Sequence, residues 1–246
     1  MSSVRLQALR DNPESFTETH DEAAARNTSH WQDFLQQTPG LLQVALGISE
    51  SARRVDDGET ADDWALKHGV PLGMSIHAGP LPPHRFLCPP GSSITLNRPD
   101  AEELRFFANM LYIVPSVRGK AARGQLLEAM TLDRDLWLLD QLRGVGADPP
   151  PVARCRGTVV SGPNESELLN FYTTAGWNIV GKLTWAQSRL AEGGEEAVEI
   201  AKARGHDMGK LSIAIERVWT VPHLEWRVVK NRQLMGQWNE RQRAKL

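Results

Sequence analysis

The chain has 246 residues, of which 41% are hydrophobic and 24% are charged. These values are ordinary for globular proteins and exclude a disordered chain, and the length is sufficient to bury one substantial core or two modest ones. No stretch reaches the roughly 18 apolar residues of a membrane span, and the first residues lack the apolar centre of a secretion signal. The sequence therefore predicts a cytoplasmic protein without a membrane contact.

The formal net charge of -2 conceals an asymmetry between the two ends of the chain. Residues 11–63 contain twelve acidic and three basic side chains, whereas residues 217–246 contain seven basic and two acidic ones. Such a polarised chain can dock its ends onto each other, or offer a basic face to phosphate and an acidic face to a protein partner. The alternative is that both regions are simply solvated surface.

The first third of the chain is predicted to contain two helices. Asn12 and Pro13 place a capping residue and a first-turn proline ahead of a segment free of helix breakers, which predicts a helix over 13–37. The apolar run 41–48 is too short to be assigned by its periodicity. A capping arrangement at 60–63 and a helix stop at 67–69 predict a short acidic helix between them.

Residues 69–99 are rich in proline and glycine, a composition that excludes long helices. Short strands are predicted at 74–77, 85–87 and 93–96, and the last two can pair as a hairpin. An irregular segment of this length inside a compact domain is commonly functional or wraps a partner.

Helical signals are strongest between 99 and 142. The segment 99–114 opens with acidic residues and carries Leu104, Phe107 and Leu111 on one helical face. A second helix is predicted over 121–142, where leucines recur at helical spacing before a glycine-rich stop. The two helices are predicted to form a hairpin at the centre of the core.

The run Asp148 to Pro151 contains three consecutive prolines and is predicted to be an extended connector. It divides the chain into an acidic helical lobe with a Pro/Gly-rich region, 1–148, and a helical lobe with a basic C-terminal tail, 152–246. The expected fold class is mostly α with a small irregular β element (α+β), with a helical bundle-like core in two lobes.

Further elements are predicted beyond the connector. A strand is predicted at 158–160, and helices are predicted after Asn164, at 177–190 and at 195–204. The segment 210–221 alternates only in part, so strand and helix remain equal alternatives there.

An adjacent His206-Asp207 pair follows a helical segment near the middle of the second lobe. The string resembles the centre of HD-domain phosphohydrolases, in which such a pair holds a divalent metal ion that activates water. The resemblance implies two further ligands, a His on an earlier helix and an Asp on a later one. The nearest upstream histidine is His84 and no aspartate follows Asp207, so a degenerate HD enzyme and a plain helix-end turn are the alternatives.

Other chemical motifs are incomplete. Ser75 lies in a Gly-Met-Ser-Ile-His string that departs from the Gly-x-Ser-x-Gly elbow at its last position, and Gly119-Lys120 lacks the flanking residues of a phosphate loop. The histidines show no i, i+4 pair, and Cys88 and Cys155 cannot close a four-ligand zinc site. The sequence therefore predicts no catalytic residue, no metal and no cofactor.

The C-terminal tail interleaves basic and aromatic side chains, and a second basic cluster is formed by Arg118, Lys120 and Arg123. Basic groups neutralise phosphates while exposed tryptophan stacks on bases, which is how single-stranded nucleic acid is held. The predicted nucleic-acid-binding residues are Arg227, Lys230, Arg232, Arg241, Arg243, Trp226 and Trp238. The alternative is that the tryptophans anchor a core or an interface and the basic groups are solvated.

Together these features predict a non-catalytic subunit of a larger intracellular assembly, a nucleoprotein complex. Its predicted partners are other protein subunits and single-stranded RNA or DNA. Two alternatives stay open, a degenerate HD-type or other helical enzyme and a protein-only scaffold. No family resemblance spans the chain.

Overall fold

The fold is described from a computed structural model of the chain. The model describes residues 2–13, 16, 18–27, 29, 40–47, 60–86, 99, 101–118, 121–148, 151–160, 165–203 and 205–243. The helices are α1 (Ser2–Asp11), α2 (His20–Ala24), α3 (Ala61–His68), α4 (Ala121–Gly144), α5 (Glu165–Thr174), α6 (Trp185–Ala203) and α7 (Val221–Arg243). Within these ranges, no helix has both the length and the apolar character needed to cross a membrane.

The strands are β1 (Gly40–Gly47), β2 (Val70–Ala78), β3 (Glu103–Ile113), β4 (Val152–Val160), β5 (Asn178–Thr184) and β6 (Leu211–Trp219). They form one sheet in the order β1-β2-β3-β4-β6-β5. Neighbouring strands are antiparallel, except that β3 and β4 are parallel. Parallel neighbours need a crossover connection, which α4 supplies.

The predicted fold class is therefore wrong, because a mixed sheet and not a helical bundle forms the centre of the molecule. The largest error is the helix predicted over 99–114, most of which is β3. A central strand is covered on both faces, so apolar residues occupy both sides and mask the two-residue period. Glu103, which resembles a first-turn acid of a helix, is fully buried and paired with Arg154.

The helix predicted over 13–37 is confirmed only in part among the described residues, where a helix covers His20–Ala24. The helix α2 begins only after Thr19, whose side chain and that of Glu22 form a reciprocal capping box, and it ends at Ala24. The short acidic helix predicted between the cap at 60–63 and the stop at 67–69 is confirmed as α3. The apolar run 41–48, which periodicity left open, forms β1 as far as Gly47.

In the proline-rich segment, the strand predicted at 74–77 lies inside the longer β2. Of the strand predicted at 85–87 the structure describes the first two residues, and Arg85 ends a 3-10 helix, Pro83–Arg85. The strand predicted at 93–96, and with it the hairpin, lies outside the described residues.

In the second half, the helices predicted over 121–142 and after Asn164 are confirmed as α4 and α5. The helix predicted at 177–190 is wrong in its first half, which is β5. The helix α6 starts at Trp185 because Thr184 and Gln187 cap it reciprocally. It continues through a kink at Gly194 to Ala203 and so contains the described part of the helix predicted at 195–204. The undecided segment 210–221 contains β6.

The predicted connector at 148–151 separates β3 from β4 along the chain. These strands are neighbours in the sheet, paired in parallel from Glu103 and Val152 to Ala108 and Gly157. The division into lobes at 1–148 and 152–246 stays a prediction.

One face of the sheet packs against α4, α5 and α7, and we call it the α4 face. Its buried residues include Phe106, Leu138, Leu142, Cys155, Ile215, Trp219 and Leu224. Fully burying a side chain of this size contributes about 1.5–3 kcal/mol to stability. This apolar layer fixes α4 beneath β3 and β4, which positions the cavity described below.

The opposite face of β3, β4 and β6 holds a buried ionic cluster, which we define as Glu103, Arg105, Arg154, Arg156 and Glu216. Arg154 donates to Glu103 Oε2 and to Glu216 Oε1, each at 2.6 Å, and Arg156 donates to Glu216 Oε2 at 3.2 Å. Arg105 Nε lies 3.3 Å from Glu103 Oε1. Burial lowers the pKa of Arg154, but the hydrogen bond to Glu103 and the charge of Glu216 outweigh it and leave that pKa raised.

Candidate functional site

The parallel strands β3 and β4 part in the middle of the sheet. Their described pairing ends at Ala108 and Gly157, although β3 continues to Ile113 and β4 to Val160. Each strand stays paired on its other side, β3 with β2 and β4 with β6. The sheet therefore opens at this point without losing its outer ladders.

A cavity of about 550 Å³ lies at this opening, and Ala108, Gly157 and Thr158 line it. That volume falls within the range of small-molecule sites. On the α4 face the lining includes Leu127 and Arg134 from α4. The cavity thus joins the strand opening to the helix that follows β3.

A hydrogen-bond chain ties β1 and β2 to α4 beside the cavity. Ser75 Oγ donates to Gln43 Oε1 at 2.7 Å, and Gln43 Nε2 donates to Met130 O at 2.7 Å and to Asp133 Oδ2 at 2.9 Å. Gln43 and Ser75 are both buried and both line the cavity. Because each of these polar groups has a partner, the wall is rigid as well as polar.

His77 is the buried imidazole of this wall. Its burial and the nearby charge of Arg134 lower the pKa of His77 from 6.5 to about 3. The imidazole is therefore neutral at physiological pH, and it presents one nitrogen donor and one nitrogen acceptor.

The lowered pKa of His77 predicts that the protein loses stability in acid. Between pH 6.5 and 3 the unfolded chain binds a proton that the folded chain does not, so stability is present above pH 6.5 and falls as the pH drops. We expect His77 to account for a loss of about 2 kcal/mol in unfolding free energy between pH 7 and pH 5. Urea unfolding of the wild type and His77→Gln at both pH values measures it.

The exposed His84 offers the control, since His84→Gln should leave the pH dependence of the wild type unchanged. An unaltered pH dependence in His77→Gln would contradict the buried neutral imidazole.

Tyr172 of α5 lines the cavity from the other side of the opening. Burial raises the pKa of Tyr172 to about 12, so its phenol carries a proton at physiological pH. The ring packs edge-on against Trp177, with centroids 6.0 Å apart, and Trp177 packs in the same way against Trp219 at 5.8 Å. This aromatic chain anchors the phenol to the core.

The cavity also has a wall on the face opposite α4. Arg5 and Phe16 line it from the N-terminal segment, and Trp185 and Arg189 line it from α6. The Arg189 guanidinium lies over the Trp185 ring, 4.4 Å from its centroid. The cavity is therefore lined from both faces of the sheet.

The solved structures that are similar to this chain include one protein in complex with acetyl-CoA and two named acetyltransferases. Arabidopsis thaliana NAA60 in complex with acetyl-CoA is 12% identical, with a TM-score of 0.42 over 89% of this chain and 92% of that one. An IAA acetyltransferase from Bacillus cereus is 10% identical, with a TM-score of 0.31 over 73% of this chain and 99% of that one. A Bacillus subtilis acetyltransferase in complex with CoA is 9% identical, with a TM-score of 0.24 over 74% and 99%.

No protein-family model matches the sequence, and no curated protein matches it. The bound molecules and activities just named belong to the three proteins concerned.

The predicted nucleic-acid-binding residues all lie in α7, and none of those whose side chains are described is among the residues that line the cavity. Arg227 Nε donates to the buried carboxylate of Asp135 at 2.7 Å, and Lys230 lies over the ring of Trp226, which is 58% exposed. Arg232 is exposed. For Arg241, Arg243 and Trp238 the structure describes only the helical backbone. Contact of these residues with nucleic acid, like contact with other protein subunits, stays a prediction.

The predicted overall function, a non-catalytic subunit of a nucleoprotein complex, is wrong. That prediction rested on a helical core with a basic tail, whereas the core is a mixed sheet, and buried polar side chains of the sheet line a ligand-sized cavity. A helical nucleic-acid-binding subunit does not describe this molecule.

The structure does not support the resemblance to HD-domain phosphohydrolases either. His206 and Asp207 lie in a turn after α6, where Asp207 Oδ1 accepts from the Gly209 N–H at 2.9 Å. Among the described residues, no three potential metal ligands lie together. The pair therefore acts as a helix-end turn, which was the second of the two alternatives.

The site residues His77, Tyr172 and Arg189 were not predicted as functional. In the sequence, Ser75 and His77 belong only to an incomplete hydrolase motif. One sequence feature does lie near this site. The basic cluster Arg118, Lys120 and Arg123 spans the residues just before α4 and the start of that helix.

Proposed function

We propose that the chain is an acyltransferase that takes its acyl group from a coenzyme A thioester. The observation that carries the proposal is the parting of β3 and β4 beyond Ala108 and Gly157. The parted edges leave main-chain groups without a strand partner on that side among the described residues. The pantetheine arm of coenzyme A is extended and carries amide groups, so it can pair with such an edge as an added strand does.

The phosphates of coenzyme A need N–H donors and cations. The helix α4 begins just beyond the end of β3, and the sequence around its start carries Arg118, Lys120 and Arg123. A helix N-terminus combined with basic side chains binds phosphate. Arg118 donates to Ile113 O at 2.7 Å and to Asn12 Oδ1 at 3.1 Å, which holds it at the end of β3. We assign the diphosphate to this segment.

The reaction joins the acyl carbon to the acceptor's nucleophilic atom and breaks the carbon–sulfur bond. The acceptor loses a proton and the departing sulfur gains one. We assign the proton donation to Tyr172, because its phenol lines the cavity and is protonated at physiological pH. The buried, hydrogen-bonded wall of Gln43 and Ser75 keeps the cavity shape fixed while the bond is exchanged.

We also propose the cytoplasm as its location. Cys155 is a free, buried cysteine, as expected in a reducing compartment.

Binding of acetyl-CoA to the purified protein, measured by isothermal titration calorimetry, tests the proposed function. A Cβ at Gly157 would meet Ala108 O and the Ile215 side chain at 3.4 Å, ordinary contact distances, so Gly157→Val should fold and fill the strand opening. We expect the wild type to bind acetyl-CoA and Gly157→Val to bind it at least about tenfold more weakly, a loss of about 1.4 kcal/mol.

The control is Gly236→Val on α7, where an added Cβ meets no described atom within 4 Å. This variant should bind acetyl-CoA like the wild type. Absence of binding to the wild type, or equal binding by Gly157→Val, would refute the proposed function.

A further inference from the structure

We infer that the acyl group of the donor ends in a carboxylate, as a succinyl group does, and that Arg134 holds this carboxylate. The contact lies at the closed end of the strand opening, which we define as Ala108 and Gly157, where the described pairing of β3 and β4 stops. The inference rests on the proposed function for the presence of a coenzyme A thioester, and it adds the class of acyl group.

Arg134 is a buried cation in the wall of the cavity. The residue is 9% exposed, and it lines the cavity from α4. Its Nε and Nη2 donate to Asp135 Oδ1 at 3.2 and 2.7 Å, whereas its Nη1 has no hydrogen-bond partner among the described residues. The guanidinium also lies over the ring of Trp219, 5.1 Å from the centroid, which restrains its plane. A restrained guanidinium with one unused amino group is suited to bind an anion.

Two further arginines share a single acid with Arg134. Arg227 donates to Asp135 Oδ2 at 2.7 Å, so both oxygens of this buried carboxylate are occupied. Arg217 lies over the same tryptophan ring, 5.1 Å from its centroid, and donates to the neutral Ala175 O. Burial, and then the charges of Arg227 and Arg134, lower the pKa of Arg217 to about 10, which leaves it protonated at physiological pH. In this part of the described structure, three guanidinium groups thus face one carboxylate, and the surplus of positive charge attracts an anion.

Strand register places His77 beside the closed end of the opening. His77 pairs with Ala108, and Ala108 pairs with Gly157. Directly paired residues project to the same face of a sheet, so only a methyl group and a glycine separate His77 from the opening. After burial, the charge of Arg134 is the second cause that lowers the pKa of His77 to about 3. The closed end is therefore within reach of the Arg134 charge, beside a neutral imidazole that can donate one hydrogen bond.

The phosphates of coenzyme A cannot be the anion that Arg134 attracts. They are assigned to the start of α4, and at 1.5 Å per residue Ala121 and Arg134 are about 20 Å apart along the helix. The pantetheine arm runs from the helix start along the parted strands, so the acyl group is the part of the donor that reaches the closed end. Glu128 also lines the cavity, but it is exposed and lies about 9 Å nearer to the helix start than Arg134. The negative group at Arg134 is therefore assigned to the acyl chain.

Three stable thioether derivatives of coenzyme A test the inference: S-(3-carboxypropyl)-, S-(3-carbamoylpropyl)- and S-butyl-coenzyme A. The carbamoyl compound matches the carboxylate compound in size and differs from it in charge. Their binding to the full chain is measured by isothermal titration calorimetry at one ionic strength. We expect the carboxylate compound to bind at least about tenfold more tightly than either neutral compound.

The variants are Arg134→Gln, Arg134→Lys and the control Arg143→Gln, which removes an arginine of the same helix that pairs with Glu225 at the surface. Arg134→Gln should weaken binding of the carboxylate compound at least about tenfold and binding of the butyl compound much less. Arg134→Lys should retain the positive charge and part of the preference, and the control should match the wild type. Comparable thermal unfolding of all variants excludes loss of fold as the cause, and the comparison of the three compounds on the wild type needs no variant.

Equal binding of the three compounds by the wild type would overturn the inference and leave the proposed function in place. A preference for the carboxylate compound that Arg134→Gln retains would also overturn it, because another group would then hold the carboxylate. A wild type that binds none of the three compounds and no acetyl-CoA would refute the proposed function, and the inference with it.

Discussion

Replacing Tyr172 with phenylalanine should lower kcat for acyl transfer from acetyl-CoA by about a hundredfold or more, the usual contribution of a positioned general acid. The departing sulfur needs a proton, and the phenol of Tyr172 lines the cavity in its protonated form. The ring itself packs on Trp177, so removing only the oxygen leaves that packing in place. The KM for acetyl-CoA should therefore change little, and steady-state kinetics with a thiol-detecting reagent separates the two constants.

Tyr112 provides a matched control, because it is the only other tyrosine of the chain. Its hydroxyl donates to Asp11 and its ring packs with α1, not at the cavity. Tyr112→Phe should cost some stability and leave kcat unchanged. A kcat for Tyr172→Phe within about threefold of the wild type would remove Tyr172 from the reaction, since a general acid contributes far more than that.

The pH dependence of kcat is a second, independent test of the role of Tyr172. Burial raises the pKa of Tyr172 to about 12, so its deprotonation lies above the working range of the enzyme. A fall in kcat between pH 8 and pH 9 should therefore have another origin and should persist in Tyr172→Phe.

The helices with strong end signals were predictable from the sequence, and the central strands were not. The helices α3 and α4 carry caps, stops and uninterrupted helical spacing, which act within a few residues of the chain. Strand β3 depends on a partner far away in sequence, Arg154, that allows Glu103 to be buried. No local pattern reports such a partner, so the charged residues of β3 resembled the first turn of a helix.

The site could not be predicted because no short motif contains it. His77, Tyr172 and Arg189 come from three separate segments, and only the sheet brings them to one cavity. The basic cluster at the start of α4 was visible in the sequence, but phosphate recognition alone does not distinguish a nucleic acid from a nucleotide-containing coenzyme. The strand opening that favours the coenzyme is a property of pairing between β3 and β4, which requires the fold.

Replacing Glu103 with alanine should lower the free energy of unfolding by about 3–5 kcal/mol, the range for removing one partner from a buried ion pair. Glu103 is fully buried. One oxygen of its carboxylate accepts a hydrogen bond from Arg154, and the other lies close to Arg105. Without Glu103, Glu216 is the remaining carboxylate of the ionic cluster. It then faces three guanidinium groups, which deprotonation cannot neutralise. Urea unfolding at pH 7 measures the change.

Glu225 is the matched control, because its carboxylate also accepts from an arginine, Arg143, at 2.6 Å, but on the surface, where the two side chains are 47% and 60% exposed. Water screens that pair, so Glu225→Ala should cost no more than about 1 kcal/mol. Glu103→Gln keeps an acceptor for Arg154 but not the charge, and should fall between the two alanine variants. Equal losses for Glu103→Ala and Glu225→Ala would mean that solvent reaches the cluster, and the parallel junction of β3 and β4 would then not depend on these charges.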